Sequence, residues 1–441
     1  MFPARRWRAP APPSGARALS LVILTAAALL ARHAAPASAQ AARASVARKD
    51  ASSAACLSSS PIFAPAAPDS AHLLYVEQES VTPHADGRIL VAGNPVFLWG
   101  KTGAGYEFVE QDSIIGMVIS APSSVRSVVS PLPHHHVQGV RSVALPGGWW
   151  LVTFAEVVPT KPGVNPVVLH YWAAETDGTS WRGLTQLPAV VDSLSSAEAS
   201  ALVWRAGRAM LAVPGDRGRF PYRDPRVVTY TRVGGKWSAA SAALGRRTYV
   251  AVALTRTRDL LAVVRPDSTE REDDNSLFMY YKSPADSTWS VAYRLVRGYR
   301  SPVRDPFFSG EDDSLTLSWR VTSFEDRSRT AWFTRLNAMG DTLGASMRVA
   351  DEAELLYGAQ RGRRGVLIAS DRGNPFATHR FVEYDGISTP AAPRVTSTKY
   401  RGLLGLALTR DYAVVIGSQT SDTRGEPAVF SMIQSHPWRC H

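Results

Sequence analysis

With 441 residues, 45% of them apolar and 20% charged, the chain can bury a sizeable core, which excludes a disordered protein. Its 32 Gly and 30 Pro are spread along the length and suit many short strands and turns. The net charge of +11 overstates its basicity, because residues 1–39 hold five Arg and no acid, leaving 44 basic against 38 acidic residues; no basic stripe interleaved with aromatics stands out, so nucleic-acid binding is not indicated.

The chain opens on an export signal. Arg5, Arg6, Arg8 and Arg17 precede a short apolar core, Ala18–Ala31, and Ala37-Ser38-Ala39 supplies the small residues signal peptidase accepts, so cleavage is expected after Ala39. The core is short for a membrane span, an uncleaved anchor being the alternative, and no later segment is apolar enough to span. The expected location is secreted or periplasmic. Residues 40–70, rich in Ala, Ser and Pro, read as a mobile lead-in. In an oxidising compartment Cys56 and Cys440 can form a disulfide that ties the chain ends together; two unpaired thiols are the alternative.

Residues 71–441 read as one domain. Segment 71–133 supplies a closing strand, His72–Val81, plus either an extra blade or a decorated lead into the ring. His134-His135-His136 reads as a solvated linker rather than a metal site. In "VRSVALPGGWWLVTFAE" (140–156) two apolar runs flank Pro146-Gly147-Gly148, a β-hairpin pattern in which Arg141 either points to solvent or faces an anion. A Trp then opens the last strand of successive units, Trp181, Trp237 and Trp289, at separations of 56 and 52 residues. Repeats of this size without amphipathic helices mean an all-β propeller, here of six or seven blades. The last unit, Leu403–Ile433, shows three strands, and His72–Val81 is the expected fourth.

Acidic stretches at 268–276 and 309–314 read as solvated turns, and the basic segment 215–226 as a surface loop or a contact for an anionic ligand. No nucleophile triad, phosphate loop, zinc spacing or dinucleotide fingerprint is present, so no cofactor or metal is expected.

The hairpin "RSVALPGGWWLVTFAE" resembles the arginine-bearing hairpin of the sialidase (neuraminidase) superfamily, six-bladed propellers with Asp-box turns of the form S-x-D-x-G-x-T-W. "AETDGTSW" keeps Gly178 and Trp181 of such a box, and "KSPADSTW" keeps Thr288 and Trp289. The resemblance implies three arginines holding a substrate carboxylate, Arg141, Arg320 in "RDPFFSGEDDSLTLSWR" and Arg372 in "SDRGNPF". It also implies Tyr400 as nucleophile, with Asp305 in place of the family's Glu. Arginine's planar fork matches a carboxylate, and a tyrosine nucleophile adds no second negative charge beside it. The family's acid position falls on Thr160 or Lys161, and without an acid the leaving oxygen departs unprotonated. The first expectation is therefore a non-catalytic sialidase-like module that binds a carboxylated glycan or an envelope protein. The alternatives are a sialidase-type hydrolase or lyase on carboxylated glycans and an accessory subunit of an envelope complex.

Overall fold

The computed structural model describes residues 58–437 apart from 62–71, 103–104, 111–112, 121–123, 135–136, 162–163, 189–199, 218–223, 244–248, 267–274, 291–292, 299–300, 324, 352, 363, 372–377, 386–393, 398–399, 410–411 and 420–429. The described residues all belong to one compact unit, Cys56–Cys440. The leader, both cysteines and Arg372 lie outside the described residues.

The described strands form seven antiparallel sheets. A four-residue strand, β1 (Ser58–Pro61), comes first in the chain and belongs to the last sheet. The first sheet takes β2 (His72–Pro83), β3 (Arg88–Thr102), β5 (Ser113–Ser120) and β6 (Ser124–Pro133), with β4 (Gly105–Glu110) paired to β3. The second is β7 (Val137–Leu145), β8 (Trp149–Lys161), β9 (Val164–Thr176) and β10 (Trp181–Gln186). The third is β11 (Ala201–Arg205), β12 (Arg208–Arg217), β13 (Asp224–Val233) and β14 (Lys236–Ala243). The fourth is β15 (Tyr249–Leu254), β16 (Asp259–Pro266), β17 (Asn275–Lys282) and β18 (Tyr293–Val296). The fifth is β19 (Val303–Ser309), β20 (Leu315–Thr322), β21 (Arg329–Leu336) and β22 (Met347–Ala350). The sixth is β23 (Ala353–Arg361), β24 (Arg364–Asp371), β25 (Thr378–Asp385) and β26 (Arg394–Ser397). The seventh is β27 (Tyr400–Leu408), β28 (Tyr412–Gln419), β29 (Phe430–Pro437) and β1.

The first strand of each sheet touches the first strand of the next, from β2 through β7, β11, β15, β19 and β23 to β27, and β27 touches β2 again. The sheets thus follow one another in a closed cycle. The core lies in the seams. Leu90 and Val118 of the first sheet meet Trp150 and Phe154 of the second, and Leu151 and Tyr171 of the second meet Leu211 and Tyr230 of the third. The other face of the third sheet presents Met210 and Val227 to Leu261 and Phe278 of the fourth. Second strands are therefore buried on both faces. This is why "LLAVV" (260–264) runs apolar without alternation, and why Thr316 and Ser318 are buried although "LTLSW" alternates. Trp181, Trp237 and Trp289 each pack into the core shared with the preceding sheet, which accounts for their recurrence.

One strand expectation changes. The fourth strand of the seventh sheet is β1, with Ser58 opposite Ser435, and not His72–Val81. His72–Pro83 instead pairs with β3 as the first strand of its own sheet. An outermost strand has one free edge and little apolar surface to cover, so "SSSP" carries no periodicity to betray it inside a segment that reads as mobile.

Neighbouring first strands run in the same direction: Thr82 Oγ1 near the end of β2 donates to Ser142 O on β7 at 2.9 Å, and His84 Nε2 lies 2.9 Å from Leu145 O. Each sheet therefore has a turn end, where its first strand enters its second, and a loop end opposite. The turn end is stitched by ion pairs. Asp312, at φ 44°, accepts from Arg205 of the third sheet and, at 2.8 Å, from Arg256 Nε of the fourth. Glu175 joins Arg182 (2.8 Å) to Arg232 of the next sheet. Asp312 thus serves its neighbours' arginines, a role the acidic turn at 309–314 does not reveal by sequence.

Burial pushes the Asp312 and Glu175 carboxyls up, but the arginines around each, joined at Asp312 by the Arg256 backbone N–H, outweigh it and hold both below the usual carboxylate range. A depressed folded pKa gives stability that is present above the unfolded pKa and lost as pH falls through the folded one. Urea unfolding free energies should therefore hold from neutral pH down to about 5 and fall below about 4. Glu175→Gln with Asp312→Asn should flatten that fall, and an unchanged fall in the double variant would contradict the assignment.

Candidate functional site at the loop end

At the turn end the first and second strands are joined by two to five residues, as at Pro146–Gly148 and Ala206–Gly207. Connections at the other end reach from Gln186 to Ala201 and from Gln419 to Phe430. The third and fourth strands are joined at the turn end by up to ten residues, as at 283–292 and 337–346, but the longest connection between strands, 187–200, lies at the other end. Longer segments on a rigid scaffold are where binding side chains concentrate, so the loop end is the candidate functional end. Asp305 near the start of β19, Arg320 near the end of β20 and the backbone of Tyr400 at the start of β27 all lie toward it, and Arg141 sits at the middle of β7.

The structure brings two of the predicted residues together. Asp305 and Arg320 face each other across the β19–β20 hairpin, where Arg304 is the register partner of Arg320. Arg320 Nε donates to Asp305 Oδ2 at 2.7 Å, and Nη2 reaches the same oxygen. Both stay partly open, with side chains 16% and 35% exposed. Asp305 has φ 48°, a conformation L-residues seldom adopt, so the backbone is held in an uncommon shape where this carboxylate is presented.

Arg141 is used differently. Its Nε donates to Ser200 O, just before the third sheet begins, and its Nη1 to Val140 O of its own strand, both at 2.8 Å, so the Nε bond ties the second sheet to the third. Arg372 and the side chains of Tyr400, Thr160 and Lys161 lie outside the described residues.

His134, read from sequence as part of a solvated linker, is instead packed. Its ring lies between Phe154 (centroids 4.9 Å apart) and Trp172 (4.8 Å) and is 10% exposed. Nδ1 is 3.7 Å from Glu156 Oε1, Glu156 Oε2 accepts from Trp172 Nε1 at 3.0 Å, and His134 Nε2 is buried without a partner. Three identical imidazoles in a row hide which one turns inward. Glu156 does carry a signal, because it ends a run buried on both faces.

That position recurs. Glu156 on β8, Arg265 on β16 and Arg320 on β20 are each the first half-buried residue after a fully buried stretch of a second strand, and all three lie toward the loop end. The apolar seams stop there and charged groups begin. Among the described residues no cluster of three or more His, Cys, Asp or Glu is placed to hold a metal ion.

No protein family and no curated protein matches this chain by sequence. Solved structures do resemble it. A polysaccharide lyase of family PL25, an ulvan lyase, is 8% identical, with a TM-score of 0.52 over 85% of this chain and 95% of its own. A second polysaccharide lyase is 11% identical, with a TM-score of 0.49 over 86% and 92%. The β-propeller domain of the trilobed protease from Pyrococcus furiosus is 9% identical, with a TM-score of 0.45 over 79% and 92%. At such identities the likeness is one of fold alone, and the ulvan lyase carries it. The chain is all-β and propeller-like.

Proposed function

We propose that the chain is an exported seven-bladed propeller of sialidase-like architecture that cleaves carboxylated glycans at its loop end, by hydrolysis or by elimination. The observation that carries this reading is the Arg320–Asp305 pair, in which a half-buried guanidinium fork already holds a carboxylate at the open end of the strands. A substrate carboxylate offers that fork the same chemistry. In this reading Asp305 occupies the fork until substrate arrives, and Arg372 and Tyr400 keep the roles the sialidase resemblance implies. The fold likeness to the ulvan lyase supports a polysaccharide as substrate.

A second reading, a binding module without turnover, is favoured by Thr160 and Lys161 standing at the family's acid position. The test is incubation with polygalacturonate, a fluorogenic sialoside, methyl-esterified pectin and neutral arabinan, following new reducing ends and the ultraviolet absorbance of unsaturated uronate. Cleavage of an acidic substrate while both uncharged controls stay intact is the expected result. Binding without cleavage transfers the site to the second reading, and cleavage of arabinan alone overturns the carboxylate assignment.

A further inference from the structure

Arg265 is an arginine that the sequence did not single out and whose Nε is left without a hydrogen-bond partner. It sits next to the loop end of β16, with Ser276 as its register partner on β17. Its guanidinium carbon lies 4.0 Å from the centroid of the Phe278 ring, and its Nε is buried with no hydrogen-bond partner. Arg88, Arg205, Arg208, Arg232 and Arg320 each meet a carboxylate. Among the described residues no carboxylate pairs with Arg265. Tyr280 lies on the same face of the fourth sheet; burial pushes its hydroxyl above the usual phenol range, with the charge of Arg265 opposing, so it remains a neutral hydroxyl.

A half-buried guanidinium without an acceptor has lost water and gained only an aromatic face. Stacking recovers part of that loss, and an oxyanion in the plane of the fork recovers the rest. We propose that Arg265, stacked on Phe278, is an oxyanion-binding position at the loop end of the seam between the third and fourth sheets, taking a carboxylate or sulfate group. With the acidic glycan of the proposed function as its source, the position is a subsite for a second charged sugar; this part of the inference rests on that reading. A free inorganic oxyanion has the same chemistry.

Calorimetric binding of an oligogalacturonate, its methyl ester and inorganic sulfate to the wild type, Arg265→Gln and Phe278→Leu tests this, with melting temperatures recorded alongside. Arg265→Gln should weaken the acidic oligomer about 10- to 100-fold, leave the methyl ester unchanged, and melt no lower than the wild type, because it removes an unpaired charge. Phe278→Leu keeps the charge and should weaken the same ligand less. Arg265-dependent binding of sulfate without the oligomer assigns the position to a free oxyanion. Arg265-dependent binding by a chain that cleaves no glycan leaves the assignment standing while the enzyme reading falls. Equal affinity of wild type and Arg265→Gln for every anion, or a lower melting temperature with unchanged binding, overturns it.

Discussion

Replacing Asp259 by alanine should lower the unfolding free energy by about 3–5 kcal/mol, the range for removing one partner of a buried ion pair. Asp259 is fully buried where the first strand of the fourth sheet turns into the second. One of its oxygens receives Arg208 Nη2 of the third sheet at 2.7 Å; the other receives Arg208 Nη1 at 3.2 Å and lies 3.3 Å from Lys282 Nζ. Lys282 is itself only 6% exposed. Its remaining neighbours are the Asp286 carbonyl at 2.9 Å and the Trp289 ring, neither of which neutralises an ammonium. Truncating the carboxylate therefore leaves two cations facing each other with little water. Restoring neutrality should recover most of the loss: Asp259→Leu combined with Lys282→Leu and Arg208→Leu replaces the charged cluster with apolar bulk. Urea titrations of both variants read the difference. A single-variant loss below about 1 kcal/mol would mean that water reaches the cluster and that it behaves as a surface pair.

The parts of this fold legible in the sequence are those that a seam requires on every repeat. Trp181, Trp237 and Trp289 recur because each fills the same gap against the preceding sheet, and the apolar second strands recur because both faces are covered. Ser58–Pro61 was illegible because an outer strand needs only backbone partners on one edge, which three serines and a terminal proline provide. The nearness of Asp305 to Arg320 follows from hairpin arithmetic around the turn at 310–314 and could be anticipated. The use of Arg141 could not. An arginine in a first strand reads alike whether its fork meets a ligand or, as here, the carbonyl of Ser200. Arg265 was missed for a related reason: its distinction is the absence of a partner, and absence of contact leaves no pattern along a chain.

Arg320→Ala should lower kcat/KM on an acidic glycan by about a hundredfold to a thousandfold, near the effect of deleting one preorganised donor to developing charge. Arg320 is 16% exposed, enough for a ligand oxygen to reach the fork while the strand pairing fixes its base. Asp305 supplies the control. If it only occupies the fork until substrate arrives, Asp305→Asn removes a competing charge, so KM for the acidic substrate should fall while kcat stays near wild type. If instead Asp305 takes part in chemistry, as the sialidase resemblance implies, kcat should fall in Asp305→Asn with KM little changed. A purely structural pair gives a third pattern, in which both variants lose stability together and the residual activity keeps its KM and its preference for acid over methyl ester. The KM-against-kcat split therefore separates a ligand-binding arginine from a structural one without knowledge of the natural glycan, because the charge of the substrate is the only variable the fork can sense.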